Sequence, residues 1–438
     1  MSPLLRQCSV LAISCVLFNV WSVLCICWLL QGMNPVGIRG HTSCDNPVTP
    51  GTHILDNYPF ACGLQQILPS DKSKGHSEVE VYAYIQPNGS WCWSNAGLIV
   101  NKAAQTSVLV DTLTDERLTR NMLSAMAHLL ETNPLQTLLH THADIDHVYG
   151  DNLVLNNVSE VLVSEGSAHM LNNLAPPAVY SVLQHLGHAL WYLFFEADHT
   201  LRPAFMWVME ATVSLPSLRN FLLQSAGAAR AIEFFSPFRF DQVTFTRSTL
   251  APELVTVFAP DRTVVSMGGN MVVEVIQTPP AHSEGDTIVV VPSARVAFTG
   301  DLLFLGTSPI MWHGPAQNFV AALDLLATLE VDYFVPGHGP ITDMKAVQDS
   351  REYWIMVQES SAHCLKHSIG YEMCAQEVLR SLPPPFNTWG DQERILVNIW
   401  VEMGHLNATK YNTTFKVGPT DKVAQLLRMG CHLVRQHL

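Results

Sequence analysis

The chain has 438 residues, with 24 Lys and Arg against 38 Asp and Glu and a formal net charge of −14. Its 48% hydrophobic and 14% charged residues exclude a disordered chain, which lacks the apolar groups to build a core, and at roughly 150 residues per domain the length suggests about three domains, or one larger α/β domain with additions. The acidic balance argues against a nucleic-acid partner, because phosphate binding needs Lys and Arg to displace counterions, and against a polybasic membrane-surface binder.

At the amino end no charged residue occurs between Arg6 and Arg39, and residues 8–30 are mostly apolar. A spanning helix needs about 20 such residues, whereas a signal-peptide core has about 7–15. Ser9, Ser14, Asn19 and Ser22 dilute the run, and no clean Ala-x-Ala cleavage site follows. Residues 1–33 are read as an uncleaved signal anchor, with a cleaved signal peptide as the alternative. Arg6 before the run weakly favours an amino end in the cytosol. Asn-x-Ser/Thr sequons at Asn88, Asn157, Asn407 and Asn412 agree with a lumenal or extracellular body. The expected location is therefore membrane-anchored in the secretory pathway, or secreted if the segment is removed. Outside the apolar run lie Cys44, Cys62, Cys92, Cys364, Cys374 and Cys431. An even number permits disulfides without fixing their connectivity, and buried free thiols are the alternative. No Cys-x-x-Cys is present, which argues against a cysteine zinc ribbon.

Residues 34–78 are rich in Pro, Gly, Ser and Asn and read as a linker. Val79, Val81, Ala83 and Ile85 then alternate with Glu80, Tyr82 and Tyr84, the periodicity of a strand. Residues 107–111 form another strand, closing on Asp111. A helix is predicted after Thr114 as N-cap, with Asp115 and Glu116 in its first turn and Leu118, Met122, Met126, Leu129 and Leu130 on its apolar face. Residues 136–142 are an apolar strand running into a polar loop, and 160–164 a further strand. Between 170 and 240, Val182, Leu186, Leu190 and Leu193 follow helical spacing. Glu196, Asp198, Arg202 and Glu210 interrupt any 18-residue apolar run there, so this is a helical insert and not a second membrane span. Its Trp191, Tyr192, Phe194, Phe195, Phe205, Met206 and Trp207 pack the helices together or line a lid over an apolar substrate. Short β runs return from 255 to 298, including 271–276 and 287–291. Gly268-Gly269 belongs to a hairpin and matches no phosphate-binding loop. Phe319, Leu323, Leu326 and Leu329 predict a helix, 333–335 a final strand, and the chain from 346 reads as helical with a break at 383–385.

The chemistry concentrates after strands. His140, His142, Asp144, Asp146 and His147 fall within eight residues, directly after an apolar strand, where α/β folds place functional groups. His282 lies in the Pro/Gly loop 279–286. Asp301 closes the strand run 298–301 behind Gly300. His338 sits between Gly337 and Gly339 after a third strand. Any one of these is an ordinary turn. Four strand-end clusters built from His and Asp are hard to assign to turns alone.

In this order the motifs resemble the metallo-β-lactamase-fold hydrolases, whose pattern runs Thr-His-x-His-x-Asp-His, a His loop, Gly-Asp, and a late Gly-His-Gly. The resemblance covers roughly residues 79–345 and extends to a bacterial subgroup with Pro-Ala-His-x-x-Gly-Asp and Trp-x-Gly-Pro stretches, here 280–286 and Trp312-His313-Gly314-Pro315. It implies an α/β fold, a four-layer αββα sandwich over 79–345, with the helical insert at 170–240 and a helical C-terminal extension over 346–438. Aligning Thr141-His142 and Asp146-His147 puts Asp144 where the second His stands in the family. A competing register takes His140-x-His142-x-Asp144 as the motif. The first is preferred because it keeps the Asp-His pair, and it leaves His140 as a flanking residue behind the ligands.

Carried over residue by residue, the resemblance implies two metal ions. His142, Asp144 and His282 would hold the first, Asp146, His147 and His338 the second, with Asp301 bridging and Asp111 supporting the site from behind. Zinc is the expected metal, two ions per chain, with Mn or Fe as alternatives for a carboxylate-rich donor set. The implied enzyme uses a metal-activated hydroxide on an ester, thioester, lactone or amide, with Asp146 as the catalytic carboxylate. Trp312 and His313 are candidate substrate-pocket residues, and the expected partner is a small molecule. No Gly-x-Ser-x-Gly elbow is present to suggest a serine hydrolase. A mononuclear iron oxygenase on the same fold and a non-catalytic binding protein are the competing readings.

Overall fold

Seven strands form one sheet in sequence order: β1 (Gly63–Ile67), β2 (Val79–Ile85), β3 (Ala96–Asn101), β4 (Thr106–Val110), β5 (Leu135–Leu139), β6 (Glu160–Val163) and β7 (Val255–Val257). A second sheet runs β12-β11-β10-β9-β8, built from β8 (Arg262–Ser266), β9 (Val272–Gln277), β10 (Thr287–Val291), β11 (Val296–Phe304) and β12 (Tyr333–His338). The computed structural model describes residues 62–68, 78–87, 90–191, 237–259, 261–268 and 271–436, with isolated positions 224, 225, 227, 228, 231, 234 and 235. The amino-terminal apolar run, Asn88 and the aromatic side chains of 191–207 lie outside the described residues. Among the described residues no helix is long and apolar enough to cross a membrane.

The described helices are α1 (Glu116–Leu130), α2 (Ile145–Val148), α3 (Glu165–Asn172), α4 (Pro177–Trp191), α5 (Ala316–Leu326), α6 (Met344–Lys366), α7 (Tyr371–Arg380), α8 (Ile395–Lys410) and α9 (Pro419–Gln436). Ile85, Ile99, Val110 and Leu139 of the first sheet share one buried cluster with Val273, Val275, Val289, Phe298 and Val335 of the second. The two sheets therefore face each other across a common core. Helix α1 packs on the first sheet, and α5 and α6 pack on β11 of the second. This is the αββα layering implied by the resemblance. One compact unit, 42–177 with 238–425, holds both sheets; a second comprises 1–41, 178–237 and 426–438.

Strand direction decides where the site lies. β1 to β4 pair antiparallel, but β4, β5 and β6 are parallel, so the carboxyl ends of β4 and β5 emerge together. In the second sheet β11 and β12 are likewise parallel. Ligand sites of open α/β sheets form outside such carboxyl ends.

Several expectations need correction. The stretch 34–78, which reads as a linker, contains β1, paired antiparallel with β2 from Gly63↔Ile85 to Ile67↔Val81. Two glutamines in GLQQI hide its periodicity, although Gly63, Gln65 and Ile67 all face inward. β3 escapes the periodicity because every one of its residues is buried, and a strand covered on both faces does not alternate. The cap of α1 is Asp115, not Thr114: its carboxylate accepts from Leu118 N at 2.8 Å, while the Thr114 hydroxyl donates to the Cys92 carbonyl. β11 does not end on Asp301 but continues to Phe304. Cys364 and Cys374 form a disulfide, Cys62 is also disulfide-bonded, and Cys92 is a buried free thiol.

Phe298 fills the space between the sheets. A Cβ on Gly97 of the facing sheet would stand 2.0 Å from its ring, so the opposing backbone lies directly on the aromatic face. Phe298→Ala is expected to lower stability by about 3–5 kcal/mol, read as a fall in denaturation midpoint with an unchanged slope.

Candidate metal centre

The loop after β5 and the short helix α2 that follows it carry four of the expected ligands, two each. Asp144 occupies the N-cap position of α2 without making a capping bond. Its Oδ2 lies instead 3.0 Å from His282 Nε2. Asp146 and His147 fall inside this short helix, so one turn of backbone points both at the gap between the sheets. His282 projects from the β9–β10 loop. Asp286 organises that loop by accepting from Ala281 N (2.9 Å) and Ser283 N (3.0 Å). Asp301 enters from β11, where the pairing with β12 shifts at Gly300 (φ 50°). Such a bulge re-aims a side chain, which is how a mid-strand Asp reaches the site. His338 ends β12, and Asn95 steadies its loop by donating from Nδ2 to the carbonyls of Pro336 (2.9 Å) and Gly339 (2.7 Å).

All seven side chains meet. Asp301 is the hub, with oxygens 3.2 Å from His147 Nε2, 3.2 Å from His282 Nε2, 3.5 Å from His338 Nε2 and 3.8 Å from His142 Nε2. His338 Nε2 also lies 3.3 Å from Asp146 Oδ2. Three groups hold ligand atoms within 4.8 Å of one another: His142, Asp144 and His282; His142, His147 and Asp301; Asp146, His147 and His338.

The outward ring nitrogens of three of the four histidines are engaged, while Nδ1 of His338 is buried without a partner among the described residues. His147 Nδ1 lies 3.0 Å from Asp111 Oδ2, His282 Nδ1 2.8 Å from the Ile310 carbonyl, and His142 Nδ1 3.1 Å from Thr141 Oγ1. Those partners fix the proton on Nδ1 of His147 and His282 and turn the Nε2 lone pair inward. Asp111, in the left-handed region at φ 60°, also accepts from Thr141 N (2.8 Å) and Thr141 Oγ1 (2.6 Å). His140 stays behind the ligands, between Asp111 (3.4 Å) and Asp151 (3.0 Å). Asp151 carries no sequence signal that singles it out.

This chain's residues fit a metal. Nε2 of His142, Nε2 of His147 and Oδ1 of Asp301 are buried without a hydrogen-bond partner. The close contact of the last two lacks hydrogen-bond geometry. Each such atom costs about 1–3 kcal/mol if left unmade, and a divalent cation among them satisfies all three. The donor set of imidazole nitrogen and carboxylate oxygen suits a transition metal.

The charges are tightly linked. Burial alone would raise Asp301, but the four imidazoles outweigh it and hold its carboxyl well below the usual range. Burial alone would lower His282; Asp301 and Asp144 outweigh it and push the imidazole up to about 9. His142 is pulled down to about 4 by burial and by His147, so it stays neutral. Burial is likewise outweighed at His140, which Asp151 and Asp111 push up to about 9.

A strap from β11 to α5 completes the site, and the C-terminal extension holds it. Arg394 Nη1 donates to Ser308 O (2.8 Å). Asn398 donates to Pro309 O (2.9 Å) and accepts from Met311 N (2.8 Å). Glu402 accepts from Ala316 N (2.7 Å), and His405 Nε2 lies 2.7 Å from His313 O. Positions 394, 398, 402 and 405 share one helical face. The strap carries the Ile310 carbonyl that orients His282, and Trp312 N donates to the His282 carbonyl at 3.2 Å. Of the two expected pocket residues, Trp312 is buried and His313 half-buried. The Asn398 contacts lie beyond what sequence reasoning reached.

The sequence matches the family model described as the metallo-beta-lactamase superfamily over residues 89–205 and 230–338. No curated protein matches it. Among solved structures, a stereoselective inverting sec-alkylsulfatase from Pseudomonas sp. aligns with a TM-score of 0.49 at 14% identity, over 83% of this chain and 52% of that one. A metallo-beta-lactamase family protein from Thermus thermophilus aligns with a TM-score of 0.42 at 16% identity, over 80% and 94%. A metallo-beta-lactamase from Pseudomonas aeruginosa in its mono-zinc form gives 0.38 at 13% identity, over 66% and 95%. The chain thus spans about half the length of the alkylsulfatase.

Two outcomes are expected. Metal uptake must displace the proton that His282 holds up to about pH 9, so affinity should rise with pH between about 7 and 9 and uptake should release protons, measured by chelator competition and by calorimetry in buffers of different ionisation heat. Asn398→Ala should weaken metal affinity by about 10–100-fold through His282, with the far-ultraviolet circular dichroism spectrum retained.

Proposed function

The chain belongs to the metallo-beta-lactamase superfamily, and on that footing we propose that it is a dinuclear zinc hydrolase of an ester, thioester, lactone or amide. The observation that carries the reading is the meeting of four imidazoles and three carboxylates around Asp301, with three buried ligand atoms unpaired. His142, Asp144 and His282 would hold one ion and Asp146, His147 and His338 the other, with Asp301 between them. When bound, the ions supply Lewis-acid charge and lower the pKa of water.

The remaining roles belong to the chain. Burial would raise Asp146, but His338 and His147 outweigh it and keep the carboxyl below its usual range. It is therefore ionised at neutral pH and suited to accept a proton from an attacking water. Its helix is pinned from both sides: the Ser94 hydroxyl donates to the Asp146 carbonyl, and the Thr112 amide to that of His147 at 2.8 Å. Asp111 and the Ile310 carbonyl hold His147 and His282 so that little reorganisation accompanies charge development.

We extend the proposal to a lumenal or extracellular location. Asn157, Asn407 and Asn412, three of the sequon asparagines, are exposed, and a mobility shift on glycosidase treatment tests this.

Elemental mass spectrometry on chain purified without chelators should find two zinc per chain. Asp146→Asn should lose about 10²–10⁴-fold in hydrolysis of an ester or lactone substrate found by screening. One iron per chain would favour the mononuclear oxygenase instead. A folded protein that takes up no metal after supplementation would overturn both enzyme readings.

A further inference from the structure

His338 is the ligand histidine whose outward nitrogen finds no partner. Its Nδ1 is buried and makes no hydrogen bond among the described residues. Those of His147, His282 and His142 meet Asp111, the Ile310 carbonyl and the Thr141 hydroxyl. The difference is not one of ligand type. His142, Asp144 and His282 on one side and Asp146, His147 and His338 on the other each offer two imidazoles and one carboxylate. A metal-bound imidazole ordinarily takes its orientation from the hydrogen bond of its far nitrogen, so another contact must fix this ring.

That contact is Phe304. Its ring stacks on the His338 imidazole, with centroids 4.8 Å apart and planes inclined by 3°. The ring of His282 is also near Phe304, but at 5.9 Å and 50°. Strand pairing explains the placement. The register between β11 and β12 shifts again after Gly300, and Phe304 then pairs with His338, while Leu305 N donates to the His338 carbonyl at 3.0 Å. The irregularity that frees Asp301 thus also sets Phe304 beside the ligand. Phe304 is itself buried and confined. The Arg394 guanidinium lies 5.5 Å from its centroid and 4.4 Å from that of Trp91, within the range of cation–π attraction. Arg394 is fixed in turn by Ser308 O at 2.8 Å and Asp391 Oδ2 at 3.2 Å. A flat ring held in this way restrains the tilt of its neighbour without supplying a donor or an acceptor.

We propose that Phe304 is the positioning residue of His338: stacking takes the place of the hydrogen bond that aligns the other three imidazoles, and retention of an ion at Asp146, His147 and His338 depends on it. The inference rests on the metal-site reading above and assigns a residue to one half of that site. A residue that only filled the core would support both ions alike.

The test uses the zinc-loaded full chain and two readouts, neither of which is activity. The first is nuclear magnetic resonance of chain labelled in its histidines, with His338 assigned by the loss of its signals in His338→Gln. In the wild type the carbon-bound ring protons of His338 should lie upfield through the ring current of Phe304, and its Nδ1 proton should lack the downfield position of a hydrogen-bonded one. The second is zinc retention by chelator competition. Phe304→Leu, which keeps an apolar side chain but no flat ring, should abolish the upfield displacement. It should weaken one of the two ions about tenfold, equivalent to ~1.4 kcal/mol, and leave the other unchanged. Equal weakening of both ions, or of neither, overturns the inference and leaves the hydrolase standing. So does a wild-type His338 that shows no upfield displacement or a hydrogen-bonded Nδ1 proton, a result that decides the matter even where Phe304→Leu does not fold. Failure of the wild type to load zinc overturns the metal-site reading itself, and this inference with it.

Discussion

The arrangement depends on one buried carboxylate facing four imidazoles. Asp301 lies within 3.8 Å of a nitrogen from each of His142, His147, His282 and His338. Such a group is costly to bury alone, and its position dictates much of the surrounding backbone. It must leave the middle of β11, so the strand bulges at Gly300. It must also meet β12 closely. A Cβ on Gly337 would stand 2.0 Å from Asp301 Oδ1, so only glycine lets the two strands deliver Asp301 and His338 to the same place. The sandwich supplies the other half: β5, from the opposite sheet, ends at the level where Asp301 emerges.

Behind the ligands, polar groups continue outward. Asp111 collects the Thr141 amide, the Thr141 hydroxyl and one nitrogen each of His140 and His147. His140 passes the network to Asp151, which accepts from Thr112 at 2.9 Å. One carboxylate thereby fixes the orientation of a ligand and the entry of the loop that carries three more. The unusual backbone of Asp111 costs on the order of 1–3 kcal/mol, which its four polar contacts offset. Rigid support of this kind keeps ligand atoms in place in the absence of a metal, so less ordering accompanies binding.

The ligands are legible in the sequence because each follows a strand within a few residues: His142 to His147 after β5, His338 at the end of β12, His282 just beyond β9. A strand, a ligand and a glycine form a local signal. Asp301 is legible as a residue but not as a position, since nothing in Phe298-Thr299-Gly300-Asp301 says that the strand resumes. Asn95 and Asn398 are not legible. Asn95 reaches Pro336 and Gly339, and Asn398 reaches Pro309 and Met311, across long separations in sequence. A trace of the second signal exists: in ILVNIWVEMGHLNATK, Asn398, Glu402 and His405 make a polar stripe on a helix whose other residues are largely buried. A polar stripe facing a core requires partners, and here the partners are the backbone of the strap. β1 and β3 escape for the opposite reason, since glutamines mask one and complete burial the other.

Asp144 and the C-terminal extension are physically linked through His282. The Asp144 carboxylate puts a negative charge 3.0 Å from His282 Nε2 and is the most exposed of the seven side chains. That charge attracts metal but diminishes the positive potential available to a substrate. The extension acts on the same quarter in two ways. α8 grips the strap through Asn398, Glu402 and His405 and so governs how His282 sits opposite Asp144. α9 places the Lys422 ammonium 5.3 Å from the ring centroid of Trp312 on that strap. The helices after residue 346 are therefore part of the site. The sheets and their loops carry the seven side chains of the cluster, and the extension holds the strap whose Ile310 carbonyl orients His282.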